Sequence, residues 1–423
     1  MIDVVLGLQW GDEGKGKIAD FLTPRYDVVA RFQGGPNAGH SLAFNQKKVV
    51  LNTIPSGIFH ENCINVIGNG VVVDPVRIKE EIAKVEAMGG NPLKNLVFSK
   101  KATIILPTHR VLDAASEFAR GAEKIGSTLR GITPAYRDKI GRTALFLGEI
   151  FSREFNKHYE QLKKTHLKYI GYYGYTDFDL SALEYEFFTA IEYLKKFQFD
   201  DTEYLVNEAA ITGKKILAEG AQGSMLDIDF GSYPYVTSSN TISGGVCNGL
   251  GVAPSKVKNV SGIFKAYCTR VGSGPFPTEL DNEIGVQLRQ KGFEFGATTG
   301  RPRRCGWLDL VALKYAIMLS GVNKLIMMKA DVLSGMDVIQ VCTHYKIDGK
   351  QTDRVPSNLC DVAIEPVYKE FEGWKEDISV CKSMEELPKT FLDYIAFIEN
   401  YTGVEISIIS IGPDREQTIL NHK

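Results

Sequence analysis

The sequence predicts an α/β protein. Its expected parts are a large, mostly parallel central sheet, an inserted helical subdomain and a C-terminal α+β portion. Three observations predict this. Short Val- and Ile-rich runs recur along the 423 residues and alternate with helical patterns, as in a sheet with crossover helices. These runs repeatedly stop at small or polar residues. Between 112 and 206 the pattern changes to aromatics and leucines at helical spacing, set among lysines and glutamates.

The first element is the run Ile2-Asp3-Val4-Val5-Leu6, short and apolar like a buried parallel strand. Behind it stands Gly11-Asp12-Glu13-Gly14-Lys15-Gly16-Lys17, and Ile18-Ala19-Asp20-Phe21-Leu22 resumes a helical pattern. Strand, glycine loop and helix together aim backbone N–H groups at a phosphate. Gly11 to Lys17 fits G-x-x-x-x-G-K, so the expected core is P-loop-NTPase-like. The Ser or Thr that should follow is Ile18. Asp12 brings a carboxylate to the place of phosphate and metal, where it could ligate Mg²⁺ or accept a proton. Taken alone, the stretch also fits a solvated Gly/Lys turn.

Residues 28–32 predict a second strand, which runs into Gln33-Gly34-Gly35-Pro36-Asn37-Ala38-Gly39-His40-Ser41. A third strand is expected over 62–67 and an amphipathic helix over 75–88. Within 112–206 helices are expected at 151–169 and 180–197, with a loop over 126–141. The strand pattern returns at 215–219, which ends in Gly220-Ala221-Gln222-Gly223, and again at 263–270, 325–328 and 406–411. The expected organisation is an α/β core over 1–111, a mainly helical subdomain over 112–206, a second core part over 207–270, and a C-terminal part over 271–423. Ligands bind at the carboxyl edge of open α/β sheets, so the loops after these strands should share one crevice.

Composition narrows the function class. A hydrophobic fraction of 44% and a charged fraction of 24% are those of an ordinary globular protein. A net charge of -2 gives no basic field for nucleic acid. No apolar run approaches the roughly 20 residues that cross a bilayer, and no secretory signal is legible at the start. The seven cysteines form no C-x-x-C pair, which argues against a zinc ribbon or a disulfide framework and for a reducing cytoplasm.

Several loops carry chemistry. Asn37-Ala38-Gly39-His40 would set an imidazole beside Asp12, and the two can divide acid and base roles. Lys329-Ala330-Asp331 matches the guanine-reading K-x-D. Lys346-Ile347-Asp348 and Lys375-Glu376-Asp377 match as well, but only the first closes an apolar strand. Gly296-Ala297-Thr298-Thr299-Gly300-Arg301-Pro302-Arg303-Arg304 sets three arginines behind hydroxyls and glycines, a loop suited to carboxylates or phosphates. A solvated basic loop is the plainer reading of it.

In combination these stretches resemble the adenylosuccinate synthetase family. The resemblance rests on Gln9-Trp10-Gly11-Asp12-Glu13-Gly14-Lys15-Gly16-Lys17, the 33–40 loop, Gly131-Ile132-Thr133-Pro134-Ala135-Tyr136, Glu219-Gly220-Ala221-Gln222-Gly223, Tyr233-Pro234-Tyr235-Val236-Thr237-Ser238-Ser239-Asn240 and the arginine loop. They stand in the family's order, up to Gly412-Pro413-Asp414-Arg415, over essentially the whole chain. Leu129 departs, standing where many members have a small residue.

The resemblance implies a Mg²⁺- and GTP-dependent ligase that joins L-aspartate to IMP through a 6-phosphoryl intermediate. It implies Asp12 as general base and metal ligand, His40 as general acid, and the Gly39 carbonyl as a second metal contact. IMP would meet Asp12, Glu13, Gly14 and Lys15, then Asn37, Ala38, Gly39 and His40, and finally Thr128, Gln222, Thr237 and Arg301. Arg142 would reach IMP in the partner subunit of a homodimer. GTP would meet Gly11 through Lys17 (Gly11, Asp12, Glu13, Gly14, Lys15, Gly16, Lys17), with Gly39, His40 and Ser41. It would also meet Arg303, the trio Lys329, Ala330 and Asp331, and the trio Ser410, Ile411 and Gly412. Aspartate would meet Ala297, Thr298, Thr299, Gly300, Arg301, Pro302 and Arg303. The alternative from another class is a regulatory GTP-binding switch protein, with the arginine loop docking a partner. A Rossmann dehydrogenase fits less well, because the spacing of the first glycines differs.

Overall fold

The structure, a computed structural model, describes residues 1–44, 47–296 and 300–421. A ten-stranded sheet forms its centre. Across it the strands run Thr418–Leu420, Ile406–Ser410, Lys324–Met328, Val257–Lys265, Ile2–Gly7, Ile216–Gly223, Val28–Arg31, Ile64–Ile67, Leu96–Ser99 and Gln198–Asp200. Every neighbouring pair is parallel except the first, which is antiparallel. Ile2–Gly7 is central because both its faces are apolar. Val4 and Leu6 pack into one layer with Ala218 and Phe264, while Val5 enters the other with Ile18 and Leu217. Helix ends are set by local chemistry: Asp74 caps Pro75–Ala87 through Val76 N, and Asp309 caps Leu310–Ser320 through Ala312 N.

The helical subdomain carries Pro107–Arg120, Ile132–Ile140, Phe155–Tyr172 and Leu180–Leu194. Positions 112 and 206 fall inside the helices Pro107–Arg120 and Thr202–Ile211. The C-terminal part adds a small sheet in which Val338–Ile347 pairs antiparallel with Lys350–Thr352 and Glu365–Glu372. Among the described residues no helix is long and apolar enough to cross a membrane.

Four local expectations are corrected. The 126–141 loop contains the helix Ile132–Ile140, entered through Gly131 at φ 74°. The helical stretch includes the strand Gln198–Asp200, which closes one sheet edge. The strand at 215–219 runs on to Gly223. There glycine serves close approach rather than a turn, since a Cβ at Gly223 would lie 2.2 Å from the Gln9 carbonyl oxygen. The 263–270 strand is two: Val257–Lys265 in the main sheet, and Cys268–Arg270 paired antiparallel with Arg304–Gly306. That break carries the chain out of the sheet toward the arginine loop. Leu129 adopts φ 55° and is exposed. This left-handed conformation is one that a branched side chain such as leucine's adopts at a cost.

Candidate active site

The carboxyl ends of Ile2–Gly7, Val28–Arg31 and Ile216–Gly223 open onto one cavity of about 270 Å³. It brings together Asp12, Gly14, Lys15, Asn37, Ala38, Gly39, His40, Thr128, Gln222 and Thr237, residues spread over more than half of the chain. Gly11, Ser127 and Thr133 also line it. Several polar atoms on this wall are buried without a protein partner: His40 Nε2, Asn37 Oδ1, and both Oε1 and Nε2 of Gln222. Such atoms are costly to bury unless a ligand or water satisfies them.

The first loop is built from within. Gly14, at φ 97°, precedes the helix Lys15–Leu22. Glu13 is fully buried beneath the loop, where it accepts from Gln9 N at 3.1 Å, Gly11 N at 2.9 Å and Lys15 Nζ at 2.5 Å. Its carboxylate therefore braces the loop, and its contribution to a ligand is through the backbone. Gly16 lies against His40: a Cβ there would sit 2.7 Å from His40 Cβ. Glycine lets the helix Lys15–Leu22 pack directly on the imidazole's strand.

His40 is held by a residue that sequence reasoning did not assign to the site. Glu219 Oε1 meets His40 Nδ1 at 2.5 Å, and the same carboxylate accepts from Ser56 N at 2.8 Å and Ser56 Oγ at 2.5 Å. Burial lowers the imidazole pKa, the Arg31 guanidinium adds to this, and Glu219 opposes it. Burial also works against ionisation of Glu219, but His40, Arg31 and Ser56 outweigh it and keep its pKa low. Glu219 thus fixes the imidazole through Nδ1 and leaves Nε2 turned to the cavity. The available signal was a carboxylate inside an apolar strand pattern.

Asp12 adopts φ 60° and is partly exposed to the cleft. Arg303 Nε donates to its Oδ2 at 2.7 Å, so the first loop and the arginine loop meet here. A carboxylate oxygen near a backbone carbonyl on one wall is a donor set that suits Mg²⁺ with phosphates and water. Asp12 and Gly39 both line this wall.

Further residues expected to meet GTP form a neighbouring group. Lys17 Nζ donates to Ser410 Oγ and the Gly412 carbonyl, each at 2.7 Å, and to the Gln417 carbonyl at 3.0 Å. It ties the first loop to the loop that carries Ile411. Burial pushes the Lys17 pKa down to about 8, against the pull of Asp331 and Asp414. Lys329 is left-handed at φ 57°, and Ala330 and Asp331 open the short turn Ala330–Leu333. Asp331 Oδ1 is buried with no protein partner, and burial raises the carboxyl's pKa. Ser41 lies exposed on the strand His40–Phe44.

The remaining expected residues lie further out. Arg142, at φ 62°, is exposed beyond Ile132–Ile140 and does not line the cavity. In the arginine loop Gly296 N donates to the Arg301 carbonyl at 2.8 Å, Gly300 takes φ 65°, and Pro302 pairs with Phe295. Ala297, Thr298 and Thr299 lie outside the described residues.

The chain is similar to known proteins over nearly its whole length. A family model described as adenylosuccinate synthetase matches residues 4–419. The chain is 57% identical over 419 residues to the adenylosuccinate synthetase of Porphyromonas gingivalis, and 56% identical over 419 residues to that of Flavobacterium johnsoniae. Each match covers 99% of both chains. Among solved structures, the fully ligated adenylosuccinate synthetase from Plasmodium falciparum superposes with a TM-score of 0.93 at 40% identity, over 99% of each chain. A cyanophage S-2L succinoaminodeoxyadenylate synthetase bound to dGMP and dATP gives a TM-score of 0.66 at 20% identity. It covers 100% of this chain and 95% of its own, a likeness of fold alone.

Proposed function

The chain belongs to the adenylosuccinate synthetase family, and from that premise we propose how its residues divide the work. It is a GTP-dependent C–N ligase of purine biosynthesis. IMP, L-aspartate and GTP give adenylosuccinate, GDP and phosphate, the committed step from IMP toward AMP. The relatives lend no support to a regulatory GTP switch.

The 6-oxo group of IMP is a poor leaving group for an amine. Asp12 takes the N1 proton, electron density moves onto O6, and O6 attacks the γ-phosphorus as the bond to GDP breaks. His40 stabilises the charge of the transferring phosphoryl from Nε2. To donate there the imidazole must be protonated, and the anionic Glu219 on Nδ1 stabilises that cation. In the second step the neutral aspartate amine attacks C6, the C6–O6 bond breaks, phosphate leaves with that oxygen and takes up the proton the nitrogen sheds, and the C–N bond of adenylosuccinate is complete. Mg²⁺, bound by Asp12 and the Gly39 carbonyl, would neutralise the triphosphate's charge.

IMP occupies the cavity walled by Asp12, Gly14, Lys15, Asn37 to His40, Thr128, Gln222 and Thr237, with Glu13 bracing the first loop beneath it and Arg301 of the arginine loop contributing to its binding. GTP lies along Gly11 to Lys17, Gly39 to Ser41, Arg303, Lys329 to Asp331 and Ser410 to Gly412. The 297–303 loop receives aspartate. The exposed position of Arg142 suits a homodimer in which it reaches the partner's IMP, and the expected setting is the cytoplasm. One observation carries the site assignment: His40 Nε2, Asn37 Oδ1 and the Gln222 amide are buried, unpaired and on one wall with Asp12. A steady-state assay with IMP, aspartate and each nucleoside triphosphate tests it. Phosphate release should need IMP and aspartate, with GTP preferred. Equal release without IMP would point back to a switch.

A further inference from the structure

Glu294 is fully buried where three segments meet. Its carboxylate accepts from Lys265 Nζ at 2.9 and 3.0 Å, the Tyr267 hydroxyl at 2.5 Å, Lys329 Nζ at 2.9 Å and Arg303 Nη1 at 2.5 Å. Burial alone would raise its pKa, but the charges of Lys265, Lys329 and Arg303 hold it well below the usual carboxylate range. Lys265, the last residue of the strand Val257–Lys265, and Tyr267, just beyond it, are fully buried and anchor the node. Arg303 and Lys329 reach it from the arginine loop and the K-x-D turn. Arg303 has a second arm, Nε, on Asp12. One carboxylate thus joins the K-x-D turn, the arginine loop and the first loop's aspartate. Without it, three cations would share a buried site with no counter-charge at its centre.

We propose that Glu294 is a positioning residue for the ligase reaction: it fixes Arg303 and Lys329 relative to each other and to Asp12. The inference rests on the roles proposed above for those three residues. Arg303 pivots on Nη1, which stays on Glu294, while its other nitrogens pass from Asp12 to an anionic substrate. A guanidinium already held by one arm loses less freedom when it grips a ligand, and so binds it more tightly.

Glu294→Gln keeps the shape and removes the charge. The measurements are kcat, KM for GTP and for aspartate, and the IMP dissociation constant by titration without GTP. The IMP cavity is not lined by Glu294, Arg303 or Lys329, so a split is expected. KM for GTP and aspartate rises about 10-fold or more, while IMP affinity stays within about 2-fold of wild type. Glu294→Asp, which keeps the charge on a shorter arm, recovers part of the loss. Unchanged constants, or an equal loss of IMP, GTP and aspartate binding, overturn the proposal. If Glu294→Gln does not fold, Tyr267→Phe decides: it removes one donor and leaves every charge. About a 3-fold rise in KM for GTP and aspartate with IMP unaffected is expected, and wild-type constants overturn the inference. Wild-type turnover in the same assay stands for the ligase reading, so its failure is told apart from a failure of the Glu294 role.

Discussion

Glu219 meets His40 Nδ1 at 2.5 Å and leaves the opposite ring nitrogen facing the cavity. The carboxylate fixes the ring's orientation, and in the proposed mechanism it stabilises the imidazolium that phosphoryl transfer needs. Glu219→Gln removes that charge while keeping the side-chain volume. It should lower kcat by about 10²-fold, the low end of what positioned acid–base groups contribute. IMP affinity should change by no more than about 3-fold, because Glu219 does not line the cavity. Steady-state kinetics with an IMP titration checks this, and full kcat in the variant would remove the positioning role.

Asp12 and Arg303 form the second relationship, at 2.7 Å. Asn at position 12 keeps the shape and cannot take the N1 proton. Asp12→Asn should reduce turnover by about 10³-fold or more while IMP still binds. Rapid-quench measurement of phosphoryl transfer to IMP separates the first step from the second. Near-normal transfer would take the base role away from Asp12.

Much of this site was legible because phosphate- and base-binding loops need glycine, lysine and carboxylate at fixed spacings behind strands. The first loop, Asn37 to His40 and Lys329 to Asp331 carry that signature, and the cleft lies at the carboxyl edge where parallel strands put it. Glu219 and Glu294 were not legible as site residues. Each acts on a partner far away in sequence, His40 at a separation of 179 and Lys329 at 35, and no spacing rule encodes a tertiary contact. The strand Ile216–Gly223 extends past the pattern that predicts it for a related reason. Glycine signals a turn and a close backbone approach equally, and only the neighbouring Gln9 carbonyl decides between them. Helix Ile132–Ile140 was lost among the glycines, Ser and Thr that precede it.

Asp331 Oδ1 is buried without a protein partner beside the left-handed Lys329. Guanine offers its N1–H and exocyclic amine to such a carboxylate, and adenine does not. Asp331→Asn should lower the preference for GTP over ATP by about 10- to 100-fold, the range for losing a buried hydrogen bond to a charged group. The ratio of kcat/KM for the two nucleotides measures it. An unaltered ratio would mean that the base is read elsewhere.

Acid stability tests the helix that carries Thr133 and Tyr136. Thr133 Oγ1 meets Ser238 Oγ at 2.7 Å, and the Tyr136 hydroxyl donates to the Gly70 carbonyl at 2.8 Å. Their helix, Ile132–Ile140, is moored by Asp138, whose Oδ2 meets His109 Nε2 and His166 Nε2, each at 2.8 Å. His109 Nδ1 accepts from Leu106 N at 2.9 Å, so its Nε2 carries the proton and donates. This makes the cluster a hydrogen-bonded triad rather than a set of metal ligands. Burial pushes the His109 pKa down to about 4, against the pull of Asp138, whereas an unfolded histidine titrates near about 6.5. Between those values the unfolded chain binds a proton that the folded chain does not. The stabilisation is therefore complete above about pH 6.5 and is lost as pH falls toward 4, by at most about 1.4 kcal/mol per pH unit for one such proton. Asp138 is held low by both histidines, after burial is overcome, so its own contribution persists until the solution is more acidic still. Thermal melts from pH 7.5 to 4.5 should show the decline. His109→Gln, which can still donate an N–H but cannot titrate, should melt lower at pH 7.5 and decline less steeply. A variant with the wild-type slope would show that another group sets the acid limit.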